Sequence, residues 1–290
     1  EKGVEIMRPL KEVLEENVGK DFRKAQIKRD IAYINLQKEQ GRLTSGEADY
    51  WKEKIGNLQE YQYGYHKGWS MILDTLTWPV LIMMLICIGI APIFAGEYQS
   101  KCDSLILCMK YGRSKLILAK IISGWLYATG VYWGITLIYS SIYMIFLGTQ
   151  GADLPIQLKY PAMSVGYNLT MGEAVGITLL LGYFFTLGIM GITLFMSALL
   201  KNTYAVIIVA FLLIIIPTFL SLDTGGYVWS HVLSLLPPKI ADFSFQSYTA
   251  YSIGNIVLSW PVMAILVNAI VAVLCSVLGY IIFRKHQVNK

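Results

Sequence analysis

Charge is scarce over most of this sequence. Charged residues make up 15% of the chain, against about 25% in soluble domains, and they are unevenly spread. Residues 71–290 hold 11 Lys/Arg and 7 Asp/Glu, whereas the first 70 residues hold 13 and 12. A single water-soluble unit is therefore excluded: a charge-balanced segment precedes a long apolar one. Mean hydropathy is +0.52 and 55% of residues are hydrophobic.

Other absences narrow the chemistry. No Gly-x-x-x-x-Gly-Lys-Ser/Thr run occurs, so the chain has no loop of that kind to cradle phosphates. Histidine is limited to His66, His231 and His286, and no His-Glu-x-x-His or other metal spacing exists. The four cysteines, Cys87, Cys102, Cys108 and Cys275, avoid the segments expected outside the membrane. They read as packing residues, not a disulfide framework. Acidic residues near membrane depth reduce to Asp74 and Glu173 at the ends of apolar runs. A proton- or sodium-driven carrier needs ionisable groups deep in its bundle, so that class is disfavoured. An intramembrane enzyme is disfavoured too, because no nucleophile–base or metal constellation can be assembled.

What the sequence does have is long apolar runs. Five stretches reach the ~20 residues needed to cross a ~30 Å hydrocarbon core: 73–95, 118–146, 172–200, 203–221 and 258–283. The expected fold is an all-α polytopic membrane protein with five helices in view and a helical extracytoplasmic segment. Pro79 and Pro217 are expected to kink their helices, and Lys201-Asn202 to form a tight turn.

Loop charge sets the orientation. Lys101, Lys110, Arg113, Lys115, Lys120, Lys201, Arg284, Lys285 and Lys290 follow the first, third and fifth runs. Only Lys159 and Lys239 follow the second and fourth. Basic loops stay cytoplasmic, so the net charge of +5 reads as membrane orientation, not nucleic-acid binding. An odd number of spans then puts residues 1–70 outside. With no signal peptide to carry them there, a sixth span upstream of Glu1 is expected.

Two extracytoplasmic segments are expected. Within 1–70, residues 4–40 favour a helix with apolar positions such as Val13, Phe22, Ile27, Ile31 and Ile34, and Gly41 stops it. Thr44-Ser45-Gly46-Glu47 opens a second helix as a capping box, leading through Trp51 to Tyr61-Gln62-Tyr63-Gly64-Tyr65. This hairpin is either a cap that meets a ligand or a solvated spacer anchored by its aromatics. Segment 222–257, with Tyr227, Trp229 and Pro237-Pro238, suggests interfacial or re-entrant helices. Gly172, Gly176, Gly182, Gly188 and Gly191 give the third run a small-residue face, for packing within one subunit or for a dimer seam.

The most informative stretch is FAGEYQSKCDSLILCMKYGRSKLILAK, Phe94 to Lys120. Glu97 is expected in the first turn of a restarted helix, where the macrodipole favours a carboxylate. Leu105, Cys108 and Met109 at i, i+3 and i+4 form an apolar stripe, which Tyr111-Gly112 ends. A short amphipathic helix between two spans suits a lever that a soluble partner pushes.

Phe94, Glu97, Tyr98, Leu105 to Leu107, Gly112, Arg113 and Lys120, in that order, resemble the permease subunits of the type-2 ABC exporter family. Lys101-Cys102-Asp103 departs from the Gly-Thr of many members, and Gly112 from a proline-led turn. The resemblance covers most of residues 70–290 and excludes 1–70. It implies that coupling loop 96–117 docks on a separate ATP-binding subunit through Glu97, Tyr98, Asp103, Leu105, Gly112 and Arg113. It implies also that two permeases pair around a central path, working by alternating access. ATP and Mg would reside on the partner, and no cofactor or catalytic step on this chain. The scarcity of charge in the spans suits a hydrophobic or amphipathic substrate. A membrane sensor or immunity protein that binds a peptide through residues 1–70 is the other reading, and co-purification of a nucleotide-binding subunit separates the two.

Overall fold

Apolar runs fold as helices in lipid because each peptide group must then find its partner within its own segment. The computed structural model describes residues 22–56, 64–75, 79–160, 165–220, 226–242, 245–254 and 256–285. Val13 and the rest of 1–21, the aromatics Tyr61 and Tyr63, His286 and Lys290 lie outside the described residues. The chain is mostly helical, and four segments are long and apolar enough to cross a membrane: Pro79–Gln99, Lys115–Leu147, Met171–Leu199 and Trp260–Lys285. A further apolar helix, Thr203–Phe219, has 17 residues. It rises about 25 Å, short of the ~30 Å core.

In chain order the helices are α1 (Phe22–Glu39), α2 (Ser45–Gly56), α3 (Lys67–Thr75), α4 (Pro79–Ile90), α5 (Pro92–Gln99) and α6 (Asp103–Cys108). Then come α7 (Lys115–Leu147), α8 (Met171–Leu199), α9 (Thr203–Phe219), α10 (Tyr227–Ser234) and α11 (Trp260–Lys285). Two 3-10 turns, Ile156–Lys159 and Pro237–Asp242, and two strands complete the described elements. Strands β1 (Ala250–Ile253) and β2 (Ile256–Ser259) pair antiparallel, Ala250 opposite Ser259. Among the described residues, segment 222–257 is therefore a short helix, a 3-10 turn and part of a β-hairpin. That departs from the purely helical expectation. The turn residue Gly254 has φ +61°, a conformation that favours glycine and closes a tight hairpin.

Helix α8 is the axis, packing against α4, α7, α9 and α11. Its glycines explain how. A Cβ on Gly191 would sit 2.8 Å from Ala272 Cα on α11, and one on Gly188 would sit 2.6 Å from Asn268 Oδ1. Small residues let two backbones approach closely where lipid supplies no hydrophobic drive. Gly182 admits the Tyr132 hydroxyl of α7, 2.4 Å from the position its Cβ would take. These three positions of the glycine face are used inside the chain.

The breaks between helices also have local causes. Pro79 is the first residue of α4, a position proline favours, so it does not kink a longer described helix. The break falls instead at Ala91-Pro92, since Pro92 has no N–H to donate. Pro217 lies inside α9, two residues from its end. Asn202 caps α9 by accepting the Tyr204 N–H at 2.9 Å, and Lys201-Asn202 is the tight turn expected. Gly41 stops α1 at φ +68°.

The capping box of α2 forms as its sequence requires. Thr44 N–H donates to Glu47 Oε2 at 2.8 Å and Glu47 N–H to Thr44 Oγ1 at 3.4 Å. A second box, Thr170 with Glu173, opens α8. Helices α1 and α2 do not stand apart from the bundle. Ile34, Ala48, Trp51 and Ile55 share one buried cluster with Leu154, Ile156, Val165, Met171, Phe245 and Ala250.

Candidate functional site

The stretch between the first two long helical segments is built from the Ala91-Pro92 break outward. A helix that starts at a proline leaves its first N–H groups without intrahelical partners. Ser197 on α8 takes that role: its hydroxyl donates to Ala91 O at 2.7 Å and accepts from Phe94 N at 3.0 Å and Ala95 N at 3.1 Å. Helix α5 thus begins five residues before Glu97, which ends up near its C-terminus. That corrects the expectation of a first-turn carboxylate, and the dipole there disfavours a negative charge. Lys120 of α7 offsets it, with its Nζ ion-paired to Glu97 Oε1 and donating to Ile93 O at 2.9 Å. Side-chain exposure is 15% for Glu97 and 24% for Lys120. Glu97 Oε2 is buried with no hydrogen-bond partner among the described residues.

Tyr98 makes a second tie. Its hydroxyl donates to Ala198 O at 3.2 Å, and its ring lies 5.4 Å from Phe283, which also packs on Phe94 at 4.7 Å. Chain reversal follows at Lys101, whose φ is +55°. Asp103 then occupies the first turn of α6, the place where a carboxylate suits the macrodipole, and is buried. Helix α6 has only six residues, and Met109 leaves it with extended backbone (φ −71°, ψ 147°). The helical stripe Leu105–Cys108–Met109 is therefore cut short. All three side chains are nevertheless exposed, Leu105 by 71%. Gly112 is required by close approach, since a Cβ there would fall 1.6 Å from Ile106 O. Arg113 is exposed, and the exposed Tyr111 ring has Lys115 Nζ 4.7 Å and Lys110 Nζ 5.4 Å from its centroid.

Glu97 and Tyr98 are thus drawn together with Lys120, Ser197 and Phe283, while Leu105 and Arg113 are exposed. Ser197 was not legible as a site residue, because a lone serine in an apolar run carries no spacing signal. Lys120 was legible as a loop charge and as the lysine that closes the Phe94–Lys120 pattern, but not as the ion-pair partner of Glu97. Gly172 and Gly176 lie at the other end of α8. Gly172 N–H donates to Ala152 O at 2.9 Å, and nothing lies within 4 Å of a Cβ on Gly176.

That opposite end holds a second arrangement. Glu47 is 0% exposed and accepts the Tyr227 hydroxyl at 2.7 Å. Burial, then this neighbouring carboxylate, push the Tyr227 phenol up from its usual value. Tyr251, buried beside Ser234, is pushed up to about 12. His231 stacks on Tyr227 with ring centroids 3.9 Å apart. Its Nδ1 lies 2.9 Å from Tyr227 O and its Nε2 3.0 Å from Ala250 O. Carbonyls only accept, so the ring engages both at once only when both nitrogens carry a proton. Nearby, Lys159 Nζ pairs with Asp74 at 2.5 Å and donates to Ser70 O at 2.9 Å.

Among the described residues no three His, Cys, Asp or Glu side chains cluster to hold a metal, and Cys87, Cys102, Cys108 and Cys275 are free thiols. No curated protein matches the chain. A family described as "Protein of unknown function (DUF2705)" matches residues 50–288. The match takes in the four long apolar segments, the tied loop and the β-hairpin, and on that extent the chain belongs to this DUF2705 family.

Proposed function

We propose that the chain is the permease subunit of an ATP-driven exporter in a bacterial plasma membrane. In this reading it has five spanning helices in view, counting α9, and the 96–117 loop faces the cytoplasm. Residues 1–70 and 222–257 lie outside. Its partners are the lipid bilayer, a second permease, identical or not, and an ATP-binding subunit that holds ATP and Mg. It catalyses nothing itself and binds no nucleic acid. The substrate is hydrophobic or amphipathic. Gly176, open in the single chain, is where the glycine face could still meet a second subunit.

The observation that carries the reading is the fastening of the loop. Glu97 is tied to α7 through Lys120, and Tyr98 to α8 through Ala198. Leu105, Met109 and Tyr111 are left exposed between them. A soluble partner docking on that apolar edge would move two long helices at once. Apolar and aromatic anchors dominate interfaces of this kind. Because Glu97 is committed inside the chain, the docking surface is assigned to Leu105, Met109, Tyr111 and Arg113. Glu97 and Tyr98 then transmit the movement.

The test is co-purification in detergent of the complete gene product with its candidate nucleotide-binding subunit. Leu105→Asp with Met109→Asp should lower the recovered ATPase subunit at least about tenfold, the effect of losing one anchor. Membrane insertion should be unchanged. Glu97→Lys should keep the ATPase bound but uncouple hydrolysis from export. Wild-type recovery in the double variant, or no ATPase bound to the intact protein, would overturn the reading. Weight would then move to a peptide-binding sensor or immunity protein.

A further inference from the structure

Each ring nitrogen of His231 faces a carbonyl: Tyr227 O of its own helix α10 lies 2.9 Å from Nδ1, and Ala250 O of β1 lies 3.0 Å from Nε2. His231 is 7% exposed. It lines a half-open groove walled by α1, the α1–α2 turn, α10 and the residues leading into β1, so water reaches it. The titratable groups around it are few among the described side chains. Tyr227 of α10 and Tyr251 of β1 lie against the ring, with centroids 3.9 and 5.0 Å away. Burial pushes both phenols up, Tyr251 to about 12, so they stay protonated near neutral pH. Glu47 of α2 sits one phenol away, accepting from the Tyr227 hydroxyl at 2.7 Å. Tyr33 and Tyr248 share the groove wall with Arg42, which is exposed and already engaged within the chain. Lys239 of the next 3-10 turn donates to Leu220 O at 2.6 Å. Neither β2 nor the first turn of α11 carries a titratable residue. Histidine is the one residue type in this set that ordinarily changes charge between about pH 5 and 8.

We propose that His231 is a proton-operated clasp, which fastens the β-hairpin to α10 when its ring is doubly protonated and loosens it when the ring is neutral. The imidazolium donates to both carbonyls at once, and its bond to Ala250 O is charge-assisted, roughly twice as strong as a neutral one. Loss of one proton to water in the groove sets a lone pair against a carbonyl lone pair, whichever nitrogen gives it up. The Nδ1 proton has a substitute. Ser230 Oγ lies 3.4 Å from Nδ1 and 3.0 Å from Tyr227 O, so its O–H can turn from the carbonyl to the ring. The ring then tilts off Tyr227 O toward Ser230, and the bond left to Ala250 O is neutral and misaligned. The Tyr251 hydroxyl donates to His231 O at 2.7 Å in either state, so the hairpin is loosened and not released. Strand β2 ends at Ser259 and α11 begins at Trp260, so the clasp bears directly on the first turn of the helix that packs on Gly188 and Gly191 of α8. Because the bridge needs the proton, the folded chain holds it where the unfolded chain releases it. The hairpin is therefore firmest at the acid end and loosens as pH rises. The permease reading decides only which compartment the clasp samples, and the clasp itself does not depend on it.

The test is hydrogen exchange on the full chain in detergent, each rate divided by the intrinsic rate at that pH. Between about pH 5.5 and about pH 7.5, within the range histidine spans, protection of the strand amides in 250–253 and 256–259 should fall about five- to tenfold. That is the difference between a charge-assisted bond and a neutral one. Amides in the middle of α8 should keep their protection. His231→Gln should flatten the response, since an amide does not titrate in this range. Nitrogen NMR of histidine-labelled protein is the second readout, with His66→Asn and His286→Asn so that His231 alone reports. It leaves His231 in place, which keeps the proposal testable if His231→Gln does not fold. Both ring nitrogens should carry protons wherever the hairpin is fully protected. Unchanged protection of the hairpin across the range would overturn the proposal, as would a fully protected hairpin around a neutral ring. So would the same fall in a folded His231→Gln protein, which would move the response to another group.

Discussion

At one end of the bundle Trp51 is 1% exposed, with Tyr50, Tyr167 and Tyr248 rings at 5.2, 5.0 and 5.3 Å, all edge-on. At the other end Ser197, 0% exposed, satisfies three backbone groups of a broken helix. The first end is held by apolar area gathered from segments far apart in sequence, which is non-directional and accumulates with contact. The second adds, to a buried cluster of its own around Phe94 and Phe283, a few directed bonds at a helix break, each of which is either made or lost. An aromatic cluster resists sliding because its interior is close-packed. The break is secured by one hydroxyl, one ion pair and one phenol in addition to its buried Phe94–Phe283 packing. The difference teaches where directed bonds are concentrated: at the loop between α5 and α7, which on the proposed function is where movement would enter, with the Trp51 end as its frame.

The largest expected effect breaks the fixed end. Trp51→Ala removes the hub of the cluster that joins α2 to Tyr167 and Tyr248. Large-to-small changes of a buried aromatic cost about 3–5 kcal/mol, so the thermal unfolding midpoint in detergent should fall sharply. Trp51→Phe should recover most of it by keeping a ring. A loss confined to α1 and α2, with unchanged protection of amides in 154–175, would show that the two hairpin helices are a separate unit and would undo the comparison.

Next comes the directed end. Ser197→Ala leaves Ala91 O, Phe94 N and Ala95 N without their hydroxyl, at about 1–3 kcal/mol for an unsatisfied buried group. The signature should be local. Hydrogen exchange at Phe94 and Ala95 should quicken while amides around Trp51 keep their protection. Equal loosening at both ends would mean the bundle responds as one body, and the proposed division into frame and lever would fall.

How much of this was legible follows the same division. The Thr44–Glu47 box, the Gly41 stop and the Lys201-Asn202 turn are local signals and formed where their residues indicated, while of the five apolar runs four gave helices long enough to span and 203–221 gave a shorter one. The small-residue face was legible as a face, but its partner, Ala272 and Asn268 on α11, depends on tertiary packing. Glu97 lies near the C-terminus of its helix and not in a first turn because Pro92, thirteen residues after Pro79, restarts the helix five residues before it. The groove beside His231 was not legible at all. Its walls come from 33–43, 226–234 and 246–249, and nothing in the order of those polar residues shows that they converge.

The smallest effect sharpens the comparison at Lys101. This residue sits at φ +55°, where an L side chain costs about 1–2 kcal/mol. Glycine escapes that cost and loses about 0.5–1 kcal/mol in chain entropy, so Lys101→Gly should stabilise by about 0.5 kcal/mol. Lys101→Asn should be close to neutral or better, because asparagine visits this region more readily than most residues. A turn that is easier to form holds α6 in place at less cost while leaving the Glu97 and Tyr98 ties untouched. If the Lys101→Gly protein is stabilised and still couples ATP hydrolysis to export, the left-handed lysine is incidental to the lever. If it is stabilised and uncoupled, the unfavourable backbone at Lys101 is part of what lets the loop switch.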